Sequence, residues 1–473
     1  MNAGFRLRRW TRALVVGAGR SGIAAAHLLA SAGIELHIYD RRESLGDLAP
    51  SQAKLFLGSD HACDEAFAGI DLLVLSPGID PRDYRRRVAL LAPKAEIHGE
   101  LGLGLFVLTQ TMPAIGGRAC GQLPIALITG TNGKSTVTAM LGEVLDRAHL
   151  APFTGGNLGT PLCERVLEAI QGLAPWPSSL VVECSSYQLE TLPARPNAPV
   201  TAVAMVLNLT PDHLARYDSL QHYAATKSRI FSGLDANGLA LLDAKDAFTP
   251  QMQAAVPRAA KVVRIEDDTG PRVLANQLDL GNGETIARSL LRVVGAHNAK
   301  NALFCAIAAR HLGASLEQCR EGLAAFQGLP HRMRPVGESG GVAFYNDSKA
   351  TNVASVIASL GSFDRPFVLI AGGQAKGDDL EPLRALLATQ GRGLVAIGES
   401  APFFLALVPP HLARASAHDM RQAVALAQSM ASPGDAVVLS PACASWDMYS
   451  SYAERGNAFE EAVRAFAPPC SSH

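Results

Sequence analysis

The stretch Gly130-Thr131-Asn132-Gly133-Lys134-Ser135-Thr136 decides the fold of the middle of this chain. It follows the apolar run 125–128, which predicts a buried strand, and precedes residues 137–145, whose apolar positions have helical spacing. Glycines between a strand and a helix let backbone N–H groups close around phosphate oxygens, and the helix N-terminus adds positive potential. Lys134 supplies a mobile charge, and Ser135 or Thr136 can offer a hydroxyl to Mg²⁺. The stretch is shorter than the generic phosphate-binding loop, but it predicts such a loop, and we expect its ligand to be ATP.

The composition is that of an ordinary globular protein. A length of 473 residues predicts about three domains, and 48% hydrophobic with 18% charged residues is enough to bury several cores. The net charge of −1 gives no reason to expect nucleic acid or a membrane surface as partner. The eight cysteines contain no C-x-x-C pair, which favours reduced thiols over a zinc site or a disulfide framework.

The N-terminus carries a faint likeness to an export signal. Arg8 and Arg9 precede the apolar residues 13–16, as in a twin-arginine signal. Glycines from Gly17 onward interrupt that run, so no continuous hydrophobic region of a signal peptide forms. The sequence also lacks any apolar stretch long enough to span a membrane. We therefore expect a cytoplasmic protein without membrane insertion.

The first unit begins with a βαβ pattern. Residues 14–16 predict a strand, Gly17-x-Gly19-x-x-Gly22 a turn, and 23–32 a helix. The next strand, 36–39, ends at Asp40, close to the spacing at which an acidic residue meets a ribose hydroxyl. A glycine pattern alone is weak evidence, but strand, helix and acid agree on a nucleotide-type ligand.

The sequence of this first unit does not settle which nucleotide it binds. Arg41 and Arg42 either meet a phosphate or are simply solvated. The strand 72–75 runs into the turn 76–79, where Gly78 can bring the backbone close to a ligand. From 106 to 123 the sequence becomes rich in Thr, Gln, Gly and Pro, which predicts a linker.

The second unit adds candidate metal ligands to the phosphate loop. Residues 155–159 predict a second glycine-rich turn, and the strand 180–183 ends on Glu183, where Mg²⁺ ligands lie beside a phosphate loop. His213 follows the strand 203–207, and these residues alone leave open whether it binds a metal or is structural. Lys227 lies in a helical pattern and, by itself, would be interpreted as a surface lysine.

The third unit contains three strands that each end in a polar turn. Each turn by itself is explained by helix capping, but together they predict the ligand-binding edge of an open parallel sheet. The strands are 342–345, 367–371 and 436–439, followed by the turns 346–352, 372–376 and 440–447.

With these motifs together, the chain resembles the Mur ligase family from about Leu14 to Phe466. The resemblance is carried by residues 130–136, Glu183 with 185–186, 208–213, 297–301, 329–332, 346–352 and 440–445. It implies an α/β fold of three domains: a Rossmann-like UDP-sugar-binding domain over 1–112, a central P-loop ATPase-type domain over 113–327, and a Rossmann-like amino-acid-binding domain over 328–473.

The resemblance also implies a role for individual residues. The expected catalytic residues are Lys134, His213 and Lys227. The expected Mg²⁺ ligands are Ser135, Glu183, His213 and Lys227, the last as a lysine carbamate. The expected ATP-binding residues are Gly130, Thr131, Asn132, Gly133, Lys134, Ser135, Thr136, Asn298, Arg332 and Asp347. The expected substrate-binding residues are Arg20, Ser21, Asp40, Arg41, Arg42, Gly78, Asn157 and Ser185, and, around the amino acid, Lys349, Thr351, Lys376, Ser445, Trp446 and Tyr452.

The activity that this resemblance implies is ATP-dependent amide ligation through an acyl phosphate. The substrates would be UDP-MurNAc-L-Ala, D-glutamate and ATP, in peptidoglycan precursor synthesis by a monomer. Trp446 and Tyr452 replace residues that are often apolar in the family, which leaves L-glutamate open as the substrate. A folylpolyglutamate-synthetase-like ligase is disfavoured by the βαβ start and the 346–352 motif. An NAD-dependent oxidoreductase, suggested by 17–40 alone, leaves the phosphate loop unexplained.

Overall fold

The computed structural model describes residues 5–7, 9–59, 61–112, 123–192, 201–211, 216–293, 295–361, 363–375 and 377–466. The chain forms two compact units. One consists of Met1–Arg292 with His297–Phe326, and the other of Val293–Ala296 with Gln327–His473. Both are built on largely parallel sheets flanked by helices, which confirms the α/β prediction.

The first sheet of the larger unit has five parallel strands in the order β3-β2-β1-β4-β5. Its strands are β1 (Arg12–Val16), β2 (Glu35–Asp40), β3 (Lys54–Leu57), β4 (Leu72–Leu75) and β5 (Glu96–Gly99). Its helices are α1 (Arg20–Ser31), α2 (Pro81–Leu91) and α3 (Glu100–Thr111). The strand order reverses between β1 and β4, and in such sheets the crevice beyond the strand ends at this reversal binds ligands.

The second sheet of this unit has six parallel strands in the order β11-β10-β9-β6-β8-β7. They are β6 (Ile125–Thr129), β7 (Pro152–Gly156), β8 (Ser179–Glu183), β9 (Thr201–Val206), β10 (Leu234–Asp243) and β11 (Lys261–Ile265). The helices are α4 (Lys134–Arg147), α5 (Leu162–Gln171), α6 (Ser186–Leu189), α7 (Leu220–Ser228), α8 (Thr249–Ala254), α9 (Ala296–His311) and α10 (Leu316–Ala325). A small antiparallel sheet contains β12 (Arg272–Val273), β13 (Gln277–Asp279) and β14 (Thr285–Ala287).

The two larger sheets of this unit share one apolar core. Helix α3 contributes Leu105 and Phe106, and helix α5 contributes Leu162 and Val166, to the same buried cluster. Because this cluster is continuous from β1 to β6, the two sheets belong to one compact unit.

Among the described residues, the smaller unit has six strands in the order β15-β16-β20-β17-β18-β19; β15 is antiparallel to β16, and the other neighbouring pairs are parallel. Its strands are β15 (Arg334–Ser339), β16 (Val342–Asn346), β17 (Phe367–Gly372), β18 (Gly391–Ile397), β19 (Ala413–Ala417) and β20 (Ala436–Leu439). Its helices are α11 (Val353–Leu360), α12 (Glu381–Gln390), α13 (Ala401–Leu407), α14 (Met420–Met430) and α15 (Tyr452–Phe466). The three strands predicted to end in polar turns, β16, β20 and β17, are neighbours in one parallel sheet.

Two local predictions are wrong. The linker expected from residue 106 begins later, because α3 continues to Thr111 and buries Phe106, whose ring lies 4.8 Å from that of Trp10. Residues 113–122 of that linker lie outside the described residues. The glycine turn expected at 155–159 starts later too, because Gly155 and Gly156 pair with β8 as strand residues.

Within the described ranges, no helix combines the length and the apolar content that crossing a membrane requires.

Candidate functional site

The glycine loop between β6 and α4 is the centre of the candidate site. Gly133, at the N-terminus of α4, has a φ of 82°, which favours glycine over other residues. A Cβ atom on Gly133 would also lie 2.7 Å from Oδ1 of Asn301, so any other residue there would force Asn301 to move. Asn301 in turn donates to Oδ1 of Asn298, one turn earlier in α9, at 3.2 Å. Helix α9 therefore lies directly against the loop.

Asn208, at the end of β9, holds the loop in shape. Its backbone oxygen accepts from Thr131 N at 2.9 Å, and its Oδ1 accepts from Asn132 N at 2.9 Å. Its Nδ2 donates to the Asn132 carbonyl at 3.1 Å. The predictions above gave Asn208 no site role. The available signal in the sequence was its position directly after the predicted strand 203–207.

Lys134 lies over the loop that precedes it. Its Nζ donates to the carbonyl oxygens of Gly130 at 2.9 Å and Thr131 at 2.7 Å. Ser135 follows it and is buried. A positive charge beside the N-terminus of α4, whose first N–H groups have no acceptor within the helix, is suited to an anionic phosphate.

Glu183 ends β8, next to β6, and is 1% exposed. Its Oε1 accepts from Nδ2 of Asn157 at 2.7 Å. Its Oε2 is buried and has no hydrogen-bond partner among the described residues. Because a buried carboxylate oxygen without a partner is costly, and because Mg²⁺ prefers oxygen ligands, this atom fits a bound cation.

Lys227 is also buried, at 1% exposure, so its interpretation as a surface lysine is wrong. Its Nζ donates to the Gly130 carbonyl at 2.9 Å and lies 3.4 Å from Oγ1 of Thr129. The Tyr223 ring lies beneath it, with the centroid 4.5 Å from Nζ. The packing of α7 against the sheet therefore places this lysine at the glycine loop.

Not all of the remaining predicted site residues near the glycine loop belong to the described residues. His213 lies outside the described residues. Among the residues that the structure describes, no group of three or more His, Cys, Asp or Glu side chains is arranged so that it could hold a metal ion. Ser185 caps α6, since its Oγ accepts from Gln188 N at 3.2 Å.

In the first sheet, Asp40 holds the glycine turn. Its carboxylate accepts from Ala18 N at 2.6 Å and from Nε of Arg42 at 2.9 Å. Burial acts to raise its pKa, but the hydrogen bonds from Arg42 and Ala18 lower that pKa to about 2. Asp40 is therefore ionised, and it fixes the turn where a ribose contact was predicted.

Other predicted contacts of the UDP-sugar surround this turn. A Cβ atom on Gly22 would lie 1.9 Å from the Gly17 carbonyl, so glycine permits the close approach of α1. Arg20 lies at the start of α1, and its Nη2 is 3.4 Å from Oε1 of Glu164. Ser21 follows it in α1, Arg41 is exposed after β2, and Gly78 lies in the turn after β4.

In the smaller unit, Asp347 joins the ends of two neighbouring strands. Its Oδ2 accepts from Oγ of Ser440, after β20, at 2.8 Å, and its Oδ1 accepts from Met333 N at 3.2 Å. Burial raises its pKa to about 6. Arg332 precedes β15 in the same unit, and its charge acts in the opposite direction on this pKa.

The predicted amino-acid pocket lies at the same edge. Nζ of Lys349 is 5.1 Å from the centroid of the Tyr452 ring. Ser445 is buried at 3% exposure, whereas Trp446 and Tyr452 are 72% and 36% exposed. Thr351 is half-buried just before α11. Lys376 lies outside the described residues.

Arg455 organises this edge, and the predictions missed it. It is 1% exposed, and its Nε and Nη2 donate to Oγ and the carbonyl of Ser348 at 3.0 and 2.9 Å. Its Nη1 donates to the Ala444 carbonyl at 3.2 Å. One guanidinium thus connects the turns after β16 and β20. No sequence signal identified it, because an arginine in a terminal helix is usually exposed.

Parallel sheets flanked by helices, with a glycine loop between β6 and α4, are typical of nucleotide-dependent enzymes with several α/β domains. Family comparisons agree along most of the chain. Residues 11–93 match the MurD-like N-terminal domain of Mur ligases, 128–309 the Mur ligase middle domain, and 331–443 the glutamate ligase domain of Mur ligases. The chain belongs to the Mur ligase family.

Similar proteins include the UDP-N-acetylmuramoylalanine–D-glutamate ligase of Thiobacillus denitrificans, 39% identical over 96% of both chains. The enzyme of the same name from Aromatoleum aromaticum is also 39% identical, over 95% of this chain and 96% of that one. Among solved structures, the UDP-N-acetylmuramate-alanine ligase MurC of Thermotoga maritima superposes with a TM-score of 0.58 at 16% identity, covering 96% of this chain and 99% of that one. At such identity it supports the fold alone.

Proposed function

We propose that this protein is an ATP-dependent ligase that joins D-glutamate to UDP-N-acetylmuramoyl-L-alanine in peptidoglycan precursor synthesis. The relatives that are 39% identical over nearly the full length carry that activity in their names. The observation in the molecule that carries the proposal is the convergence of Lys134 and Lys227 on the Gly130 carbonyl, at 2.9 Å each. It brings two functional groups to the glycine loop, where Lys134 would bind an ATP phosphate and Lys227, as a carbamate, would help to hold Mg²⁺.

Each sheet would serve one substrate. We assign the UDP-sugar to residues 1–112, ATP to 113–327 and the amino acid to 328–473, with the site residues predicted from the sequence. The glycine turn held by Asp40, the loop held by Asn208 and the edge held by Arg455 support this assignment. These three places are the strand-end crevices at which open α/β sheets bind ligands.

The chemistry would proceed in two steps. The alanine carboxylate of the UDP-sugar attacks the γ-phosphorus of ATP, the bond to the β-phosphate oxygen breaks, and ADP leaves. The glutamate amine then attacks the carbonyl carbon of the acyl phosphate, and the tetrahedral intermediate expels inorganic phosphate to leave an amide. Lys134 stabilises the negative charge on the transferred phosphoryl oxygens, and charge stabilisation of this kind is usually the largest single contribution to catalysis.

The residues present fit a divalent cation at the phosphate loop. Ser135, Glu183, His213 and the carbamate of Lys227 would hold Mg²⁺, and the partnerless Oε2 of Glu183 supports this. Bound there, Mg²⁺ would neutralise charge on the phosphoryl oxygens. Carbamylation leaves one hydrogen on Nζ of Lys227, so the bond to Gly130 could persist. It would also remove the repulsion between the ammonium groups of Lys227 and Lys134.

We further propose that the protein acts in the cytoplasm as a monomer. UDP-sugars and ATP are cytoplasmic metabolites, which supports the first part. Size-exclusion chromatography with light scattering tests the second part, because a dimer would elute with twice the mass of 49.7 kDa.

The decisive experiment is phosphate release by the purified protein. The reaction contains ATP, Mg²⁺ and UDP-MurNAc-L-Ala, with D-glutamate and L-glutamate in separate samples. Phosphate release that depends on D-glutamate supports the proposal. Release with L-glutamate alone would reassign the amino acid, and no release with either enantiomer would refute the ligase.

A further inference from the structure

Arg216 lies where the first sheet meets the second within the larger unit. It follows the 212–215 segment after β9, and its side chain is only 14% exposed. Nothing in the motifs or in the proposed chemistry uses it. Its contacts nevertheless lie beside two groups of predicted site residues.

On one side, Arg216 binds the turn after β4. Its Nη2 donates to the Ile79 carbonyl at 2.9 Å. Ile79 N donates to the Ser76 carbonyl at 2.9 Å, and Oγ of Ser76 donates to the Gly17 carbonyl at 2.5 Å. The guanidinium is therefore two hydrogen-bonded residues away from the glycine turn of the first sheet. Gly78, a predicted UDP-sugar contact, lies inside the turn that Arg216 binds.

On the other side, Arg216 binds the end of α6. Its Nη2 and Nε donate to the two carboxylate oxygens of Glu190, at 2.6 and 3.2 Å. The Tyr187 ring packs against the guanidinium, with its centroid 5.0 Å away. Helix α6 begins next to Glu183 and Ser185, so the same side chain also fixes the element beside the candidate metal ligand.

A half-buried ion pair of this kind contributes little net stability, because the cost of removing both charges from water roughly cancels their attraction. Its bidentate geometry does fix direction. We propose that Arg216 is a positioning residue: by joining Ile79 to Glu190, it sets the UDP-sugar turn relative to the catalytic edge of the second sheet. This inference rests on the proposed function, because it assigns the Gly78 turn to the UDP-sugar.

Arg216→Lys tests the inference, because lysine keeps the charge but cannot bind Glu190 and Ile79 in the same fork geometry. Arg310→Lys is the matched control. Arg310 makes the same pair with Glu284, at 2.9 and 2.6 Å, and donates to the Ala314 carbonyl at 2.7 Å, and neither partner is a predicted site residue. The Kd values of UDP-MurNAc-L-Ala and of ATP are measured by calorimetry for both variants and the wild type.

We expect Arg216→Lys to raise the Kd of UDP-MurNAc-L-Ala about tenfold, as for a lost charge-assisted hydrogen bond. The Kd of ATP should not change, and Arg310→Lys should change neither value. Glu190→Gln, which leaves Arg216 and its bond to Ile79 in place, should raise the same Kd by less, and it serves if Arg216→Lys does not fold.

An unchanged UDP-sugar Kd in the folded variant would overturn the positioning role. An equal rise for UDP-sugar and ATP would overturn it as well, because general loosening of the fold affects both ligands. Wild-type phosphate release distinguishes the two proposals: its absence refutes the ligase, whereas normal release with an unchanged Kd in the variants refutes only the role of Arg216.

Discussion

The Nζ atom of Lys227 lies 2.9 Å from the carbonyl oxygen of Gly130, the first residue of the glycine loop. This contact joins α7 to the turn that follows β6 in the second sheet. A buried amine next to a second lysine, Lys134, is electrostatically unfavourable, and a carbamate on Lys227 would reverse the sign of the interaction. The proposed Mg²⁺ site depends on this modification.

Lys227→Ala should abolish phosphate release, and short-chain carboxylates such as acetate or formate should restore part of it by replacing the carbamate. Lys245→Ala, at an exposed lysine of the same unit, should keep its activity without added carboxylate. Labelling with ¹³C-bicarbonate should also give a carbamate carbon signal by NMR in the wild type and not in Lys227→Ala. Full activity of Lys227→Ala without rescue would contradict the carbamate.

Lys134→Ala should nearly abolish turnover. Without a cation at the transferred phosphoryl group, the transition state loses roughly 3 kcal/mol or more of stabilisation. Steady-state phosphate release at saturating substrates measures the effect. Lys261→Ala, at an exposed lysine of β11, is the control and should behave as the wild type. A kcat close to that of the wild type in Lys134→Ala would mean that the phosphate loop is assigned wrongly.

Ser445→Ala should raise the KM for glutamate roughly ten- to a hundredfold, because the cost of a lost hydrogen bond to a charged group is about 1.5–3 kcal/mol. Ser445 is buried in the turn after β20, and Lys349 and Thr351 lie in the turn after the neighbouring strand β16. The KM values for ATP and the UDP-sugar should stay the same, as should all three in Ser429→Ala, at an exposed serine of α14. A change in the ATP KM alone would show that the amino-acid pocket lies elsewhere.

Glu100→Gln should make stability less dependent on pH. Glu100 is buried at the start of α3, its Oε1 accepts from Cys163 N at 2.6 Å, and burial raises its pKa to about 7 from an ordinary 4.5. Because the folded-state pKa is raised, the stabilisation from this group is complete below pH 4.5 and is lost as the pH rises through about 7.

Glutamine stays neutral throughout. Between pH 4.5 and pH 8, the free energy of unfolding of the variant should therefore rise by about 3 kcal/mol relative to that of the wild type. Denaturant unfolding of both proteins across this range gives the difference. A difference that is constant with pH would mean that Glu100 does not titrate in this window.

Much of the architecture follows from local sequence patterns. The apolar runs before Gly130, Asn346 and Ser440 predicted strands that the structure contains, because strands buried on both faces need continuous apolar residues. Polar residues at the ends of those strands predicted one edge of a parallel sheet, and the neighbouring β16, β20 and β17 confirm it. Local patterns misled where burial or strand pairing decides, as in α3, whose Phe106 packs on Trp10, and in β7, whose Gly155 and Gly156 pair with β8.

The sequence by itself thus determined the α/β class, the phosphate loop and the strand-end turns, since each depends on residues that are adjacent along the chain. The tertiary structure alone decided that Lys227 is buried at Gly130, 97 positions away, and that Arg455 holds Ser348, 107 positions away. It likewise brought Arg216 to Ile79, across 137 positions. Hydrogen bonds of this kind join groups that are distant in sequence, so they exist only once the sheets have assembled and removed these side chains from water.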